Sequence, residues 1–288
     1  MDYKNILSMK EYAQQQKKVL KEEVKVIKEM LKQDVVLHIF NCSDNSASEA
    51  YIRGKVKDAE EIGVKPKVYR YDDIGTYALD NLVYNLSQHI LDNNLPEGII
   101  VQLPLPNGIH FSNNIPVTLD VDGFNNNPYI NPCTPQGIID WMNYNRINVD
   151  GRNAVVLGRS FIVGRPLAKI LLQRSANVTI LHSHTHSDDL HDYIEKADFI
   201  FSAVGRENLL NKTDFEYKKD ACIIDIGINR NKDGKLCGDC EKDLPVGYQS
   251  PVPGGVGLLT RVALYNNLIK LIRVRFRLVD DELDMRGY

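Results

Sequence analysis

Short runs of β-branched and apolar residues alternate with longer stretches whose apolar positions recur every three or four residues, and that alternation leaves few folds open. Residues 9–32 place Tyr12, Leu20, Val24, Ile27 and Leu31 at helical steps. Residues 35–40, VVLHIF, are short, apolar and branched at Cβ, which suits a buried strand. A helix is expected over 46–62, because Ser46 and Glu49 form a capping box and Gly63 supplies a stop. Strands follow at 67–71 and 98–102, with a helix at 76–93 between them. Such a β-α-β-α-β run predicts a parallel sheet covered by helices, with ligands beyond the carboxyl ends of its strands.

From 104 to 135 the chain turns rich in proline and asparagine and loses its periodicity, so the domain boundary is placed there. Thr134 and Pro135 read as an N-cap and a first helical residue. Alternation then resumes, with strands expected at 153–157, 177–181, 198–202 and 221–226 and helices between the first three. A long helix over 258–278 leads into an acidic tail, Asp280 to Asp284, expected to be solvated or frayed. A chain of 288 residues exceeds the usual size of a single core. The expected fold class is therefore α/β, with two domains on parallel sheets.

The formal net charge of -3 provides no basic field for nucleic acid or an anionic membrane, so neither partner is expected and any anion must be bound locally. The opening MDYKNILSMKEY lacks a basic start followed by an apolar run, and no stretch approaches the ~20 apolar residues that cross a bilayer. A cytoplasmic location follows. Cys42, Cys133, Cys222, Cys237 and Cys240 are odd in number and scattered, which does not suggest a disulfide framework. Cys237 and Cys240 form a CxxC, but no second pair follows to complete a zinc site, and no metal is expected.

The strand AVVLG runs directly into GRSFIVGRP, placing Gly158, Arg159, Ser160 and Gly164 between a strand and a helix. Small residues there let the backbone approach a pyrophosphate, and the helix start offers unpaired N–H groups. The plainer reading is a tight turn alone. An NAD site would place a carboxylate at the end of the following strand. That strand instead ends Leu181, His182, Ser183, His184, with Arg159 and Ser183 able to donate to a 2′-phosphate, so NADP is favoured. A metal held by His182, His184 and His186 is the alternative, weakened by the lack of a further ligand or catalytic acid nearby.

Tyr51 and Lys55 stand four apart on the second helix, flanking an apolar stripe of Ile52, Val56 and Ala59. A lysine withdrawn from water holds its proton less tightly, as general acid–base work near neutral pH requires. Gln102, at the carboxyl end of its strand before LPLP, offers a neutral amide to orient such a lysine. Asp120-Val121-Asp122-Gly123 places carboxylates in a turn near the boundary, readable also as an Asx turn. The stretch PVPGGVG at 251–257 is either a bare hinge or a backbone laid against a ligand.

YIRGK, VQLPLP, DVDGF, PCTPQG, GRSFIVGRP, DIGIN and PVPGGVG occur here in one order. In this the chain resembles the bifunctional methylenetetrahydrofolate dehydrogenase/methenyltetrahydrofolate cyclohydrolase family, over about residues 43–260. The resemblance implies a catalytic, folate-binding domain of residues 1–125 plus 260–288 and a Rossmann-like NADP-binding domain of residues 126–259. It also implies a folate cleft between them, and a homodimer formed through the nucleotide domains. Lys55 matches the family's catalytic lysine, Tyr51 its stacking tyrosine, Gln102 the glutamine that tunes the lysine, and Asp122 the aspartate that holds the pterin. Gly158, Arg159, Ser160, Gly164, Ser183 and Ile228 match NADP positions. Val101, Leu103, Pro253, Gly254, Gly255, Val256 and Gly257 match the substrate surface.

The implied chemistry is oxidation of 5,10-methylenetetrahydrofolate by NADP, then hydrolysis of the methenyl product to 10-formyltetrahydrofolate. Two departures stand out. Leu258, Leu259 and Arg261 follow PGGVG where the family usually reads PMT and a small residue, and Cys42 replaces a usual glycine. The rival readings are a dehydrogenase without efficient hydrolysis, a catalytically silent folate or nucleotide binder, and a shikimate-type dehydrogenase.

Overall fold

The computed structural model describes residues 3, 6–43, 46–71, 74–106, 109, 111 and 114–278, with the side chains of residues 46 and 47 outside the description. The chain divides into two compact units, Gln16–Asn131 with Leu264–Tyr288 and Met1–Gln15 with Pro132–Ala263. Two long helices, α1 (Met9–Leu31) and α7 (Val256–Phe276), each contribute residues to both.

In the first unit, β1 (Val36–Asn41), β2 (Lys65–Arg70) and β3 (Glu97–Val101) form a parallel sheet of order β2-β1-β3. The crossovers are α2 (Ser46–Ile62) and α3 (Thr76–Asp92). Every residue of β1 and β3 is buried, whereas the edge strand β2 is largely exposed or half-buried. A strand covered on both faces has no polar side to present, which is why VLHIFN and EGIIV lack clean alternation. Gly63, at a φ of 87°, takes the left-handed conformation that ends α2. Glu49 is engaged by Asn41 Nδ2 at 2.7 Å and by Arg70. The expected capping box rests on Ser46, whose side chain lies outside the described residues, as does the acidic tail.

The second unit contains α4 (Cys133–Tyr144), β4 (Asn153–Leu157), α5 (Gly164–Gln173), β5 (Asn177–Leu181), α6 (Ser187–Lys196), β6 (Phe199–Ser202) and β7 (Cys222–Asp225). A short antiparallel pair, β8 (Asn229–Arg230) and β9 (Leu236–Cys237), precedes β10 (Tyr248–Gln249). The main sheet is parallel, in the order β10-β7-β6-β4-β5. Since β5 and β6 lie on opposite sides of β4, the strand order reverses at β4, and the carboxyl end of β4 is where open parallel sheets place their ligand crevice. Trp141, Phe199 and Phe201 fill the core below, and the Trp141 indole donates to the Leu7 carbonyl at 2.9 Å.

Two alpha/beta units on parallel sheets match the expected class. One detail is corrected: α4 begins at Cys133 with Pro132 as its N-cap, so Thr134 and Pro135 lie inside the first turn. A proline is tolerated there because the first helical N–H groups have no partner within the helix. Thr134 Oγ1 instead shares a hydrogen bond with Thr260 Oγ1 at 3.0 Å.

Candidate functional site

In the three-stranded unit the candidate chemistry gathers on α2 and just past β3. Ile52, Lys55 and Ala59 share one face of α2, and Ile52 and Ala59 are fully buried. Lys55 stands within that face rather than beside it, at 5% exposure. Its Nζ donates to Gln102 Oε1 at 3.0 Å. Gln102 Nε2 in turn donates to the Leu103 carbonyl at 2.6 Å. Because that carbonyl can only accept, the amide is turned with its oxygen toward the lysine. Gln102 reaches this place because its backbone N–H closes onto the Phe40 carbonyl at 2.8 Å, the last ladder bond between the two strands. Tyr51 and Val56, on the sides of the helix, are half-buried.

Residues 119–121 run along the free side of β3, where Ile99 N–H bonds the Leu119 carbonyl and Val121 N–H bonds the Ile99 carbonyl. The chain then turns at Gly123, whose φ is 73°. The two aspartates of DVDG divide their tasks. Asp120 is buried at 1% exposure and accepts from the Gly123 and Asn125 N–H groups at 3.1 and 2.9 Å. Burial, and then the nearby Asp122 charge, push its carboxyl up to about 6. Asp122 is half-buried. The Asx-turn reading therefore describes Asp120 and leaves Asp122 for other work.

Two supports went unforeseen from sequence. Tyr265 on α7 donates to the Lys55 carbonyl at 2.6 Å, and Asn267 donates to the Val121 and Asn131 carbonyls at 3.1 Å each. The available signal was a tyrosine and an asparagine set among the apolar residues Ala263, Leu264, Leu268 and Ile269, where buried polar groups need partners.

In the five-stranded unit, Gly158 follows β4 at a φ of 105°, and a Cβ there would come within 2.5 Å of the Ala203 carbonyl oxygen. A Cβ on Gly164 would collide with the Gly158 carbonyl. Three backbone segments thus meet at closest approach, at the crevice beyond β4. Ser160 Oγ accepts from the Val163 and Gly164 N–H groups at 3.2 and 3.4 Å, and Arg159 and Ser160 are exposed. Ser183 is exposed beyond β5, and Ile228 is 47% exposed beyond β7. Loss of water, then the Arg159 charge and His184, hold the His182 imidazole below its ordinary range. A cationic corner with no carboxylate at the strand end fits a dinucleotide carrying a 2′-phosphate.

His182 and His184 meet edge-on at 5.9 Å between ring centroids, but no group of three or more His, Cys, Asp or Glu is placed to hold a metal among the described residues. In the 253–257 segment Pro253 and Gly254 are exposed and Gly257 is half-buried. Gly255 is buried with no room for a Cβ beside the Pro251 carbonyl, and Val256 belongs to the core.

Residues 7–122 match the tetrahydrofolate dehydrogenase/cyclohydrolase catalytic domain, and residues 132–276 match the NAD(P)-binding domain of the same enzymes. This chain belongs to the tetrahydrofolate dehydrogenase/cyclohydrolase family. Among its relatives, the bifunctional protein FolD of Staphylococcus carnosus is 36% identical over 285 residues, covering 94% of this chain and 97% of the relative. FolD of Nitrosomonas europaea is 39% identical, covering 87% and 88% respectively. Among solved structures, the Campylobacter jejuni bifunctional enzyme superposes with a TM-score of 0.86 at 35% identity, covering 94% of this chain and 99% of that one. The Trypanosoma brucei enzyme, solved with NADP and an inhibitor, gives 0.85 at 27% identity, covering 94% and 98%.

Proposed function

We propose that this chain oxidises 5,10-methylenetetrahydrofolate with NADP and hydrolyses the resulting 5,10-methenyltetrahydrofolate to 10-formyltetrahydrofolate. The observation that carries the reading is an amine on an apolar helix face, 5% exposed, whose hydrogen-bond acceptor is a neutral amide. A buried lysine held by a carboxylate would serve as a fixed cation. One held by an amide is oriented without an added charge, which suits moving a proton during attack of water on the methenyl carbon.

In this reading Lys55 manages that proton, Gln102 orients it, Tyr51 supplies a flat surface and a hydroxyl to the folate, and Asp122 receives the pterin's N–H groups. Val101 and Leu103, which flank Gln102, extend that substrate surface. Gly158 and Gly164 let backbone come close to the NADP pyrophosphate, while Arg159, Ser160 and Ser183 donate to its phosphates and Ile228 packs on its apolar portion. NADP, when bound, accepts the hydride. The two units correspond to a folate-binding catalytic domain and a nucleotide domain.

Loss of methenyltetrahydrofolate absorbance without nucleotide tests the hydrolysis, and reduction of NADP and of NAD with methylenetetrahydrofolate tests the oxidation. Hydrolysis at the buffer rate would remove the bifunctional reading and leave the dehydrogenase alone. No helix among the described residues is long and apolar enough to cross a membrane. A homodimer is supported by the edge strand β5, where Ile180 is 40% exposed, and by Leu172, 66% exposed on α5. Sedimentation of Ile180→Lys should show a monomer, and an unchanged dimer would place the interface elsewhere.

A further inference from the structure

A fully buried carboxylate that takes no part in the chemistry lies behind the nucleotide turn. Asp239, 0% exposed, follows β9 and collects five donors. Its Oδ2 accepts from Ser202 Oγ at 2.9 Å and from the Val204 and Gly205 N–H groups at 2.8 and 3.3 Å. Its Oδ1 accepts from the Arg206 N–H at 2.8 Å and from Asn229 Nδ2 at 3.0 Å. Three successive backbone N–H groups of the loop after β6 therefore converge on one carboxylate.

The carboxylate is itself held. Asp225, at the end of β7, accepts from the Asp239 and Cys240 N–H groups at 2.9 Å each and from the Gly227 N–H at 3.1 Å. A Cβ on Gly227 would strike the Asp239 carboxylate, and one on Gly238 would strike that of Asp225. The two acids and two glycines interlock, leaving Asp239 no freedom to move off the loop.

That loop packs against the glycine turn. The Ala203 carbonyl is the atom a Gly158 Cβ would meet at 2.5 Å, so the height of the 203–206 loop decides how the Gly158 turn can sit. Asn229, the fifth donor, opens β8 and neighbours Ile228, which lies beyond β7. One buried group thereby ties together the ends of β6 and β7 and, through Ala203, that of β4.

We propose that Asp239 is a positioning residue for NADP, fixing the 203–206 loop against the Gly158 turn so that the nucleotide surface exists before the cofactor arrives. This rests on the NADP assignment above. Asp239→Asn keeps the shape but points an NH2 at donors, whichever oxygen it replaces, and the loop must give way.

The test measures both activities of the full-length protein. Asp239→Asn should raise the KM for NADP at least tenfold, with dehydrogenase kcat within about threefold of wild type. Nucleotide-independent hydrolysis of methenyltetrahydrofolate should stay within about twofold. A merely structural role would lower both activities together, in step with the folded fraction, and that result, like an unchanged KM, overturns the proposal. If the variant does not fold, Ser202→Ala and Asn229→Ala, each removing one donor, should still raise the KM for NADP two- to fivefold, and no rise in either refutes it. Direct titration of wild type with NADP separates the two levels: a wild type that does not bind NADP defeats the functional assignment and this proposal with it, whereas a wild type that binds NADP beside an Asp239→Asn with unchanged KM defeats the role of Asp239 alone.

Discussion

The two sites are built on opposite principles. In the three-stranded unit the groups that matter are side chains withdrawn from water, Lys55 on Gln102 and Asp120 beneath its turn. In the five-stranded unit the framework is backbone, Gly158 against Ala203 and Gly164 against Gly158, and the side chains beside it, Arg159, Ser160 and Ser183, face solvent. Buried side chains set the reactivity of a few atoms, whereas close-packed backbone sets a shape that binds. Damage to the first should therefore appear in turnover and in pH dependence, and damage to the second in affinity for the nucleotide.

The largest effect tests the reactive side directly. Lys55→Met keeps most of the buried volume and removes the amine. Nucleotide-independent hydrolysis should fall about 10²- to 10⁴-fold, the range of a lost general acid–base group, with NADP affinity unchanged. Near-normal turnover, followed by methenyltetrahydrofolate absorbance, would take Lys55 out of the chemistry and erase the contrast.

The second test is one of stability. Asp120 carries a carboxyl raised from 3.8 to about 6 by burial and the Asp122 charge, so the folded state binds its proton more tightly than the unfolded one. Its favourable contribution is complete below about pH 4 and is lost as pH rises through about 6. At ~1.4 kcal/mol per pKa unit the swing is at most about 3 kcal/mol. Denaturant unfolding from pH 4 to 7 should show wild type losing stability relative to Asp120→Asn over that window. Parallel curves for the two proteins would show that this turn does not titrate there.

Gly158→Ala probes the backbone side. A side chain at a φ of 105° is strained by about 1–2 kcal/mol, and its Cβ would press on the Ala203 carbonyl. The KM for NADP should rise about tenfold while hydrolysis without nucleotide persists. Equal loss of both activities would mean that the two sites are not separable in this way.

How much of this the sequence disclosed follows the same division. Lys55 and Gln102 were legible because each sits on a regular element, one at a helical step from Ile52 and Ala59, the other at the end of a β-branched strand. The glycine turn was legible because the strand AVVL and the helix after Gly164 bracket it. Asp239 was not, since its partners are mostly backbone N–H groups more than 30 residues earlier and it follows a two-residue strand too short to leave a pattern. The sequence places the start of α4 two residues late for a local reason: Thr-Pro resembles a cap, yet a first-turn proline loses no helical bond. Helical spacing sets Lys55 beside the apolar stripe, whereas packing buries it within, a tertiary choice that the spacing leaves open.

The smallest effect concerns cofactor choice. Arg159 is exposed and its charge reaches His182 beyond β5, so it can pair with a 2′-phosphate without being desolvated. An exposed charge-assisted hydrogen bond contributes at the low end of its range, ~1.5 kcal/mol or less, because water screens it. Arg159→Ala should therefore weaken NADP by about tenfold at most and leave NAD kinetics unchanged, with the difference shrinking as salt is added. If NADP and NAD weakened equally, Arg159 would be serving the shared pyrophosphate, and selectivity would have to come from Ser183 and the imidazoles that follow β5.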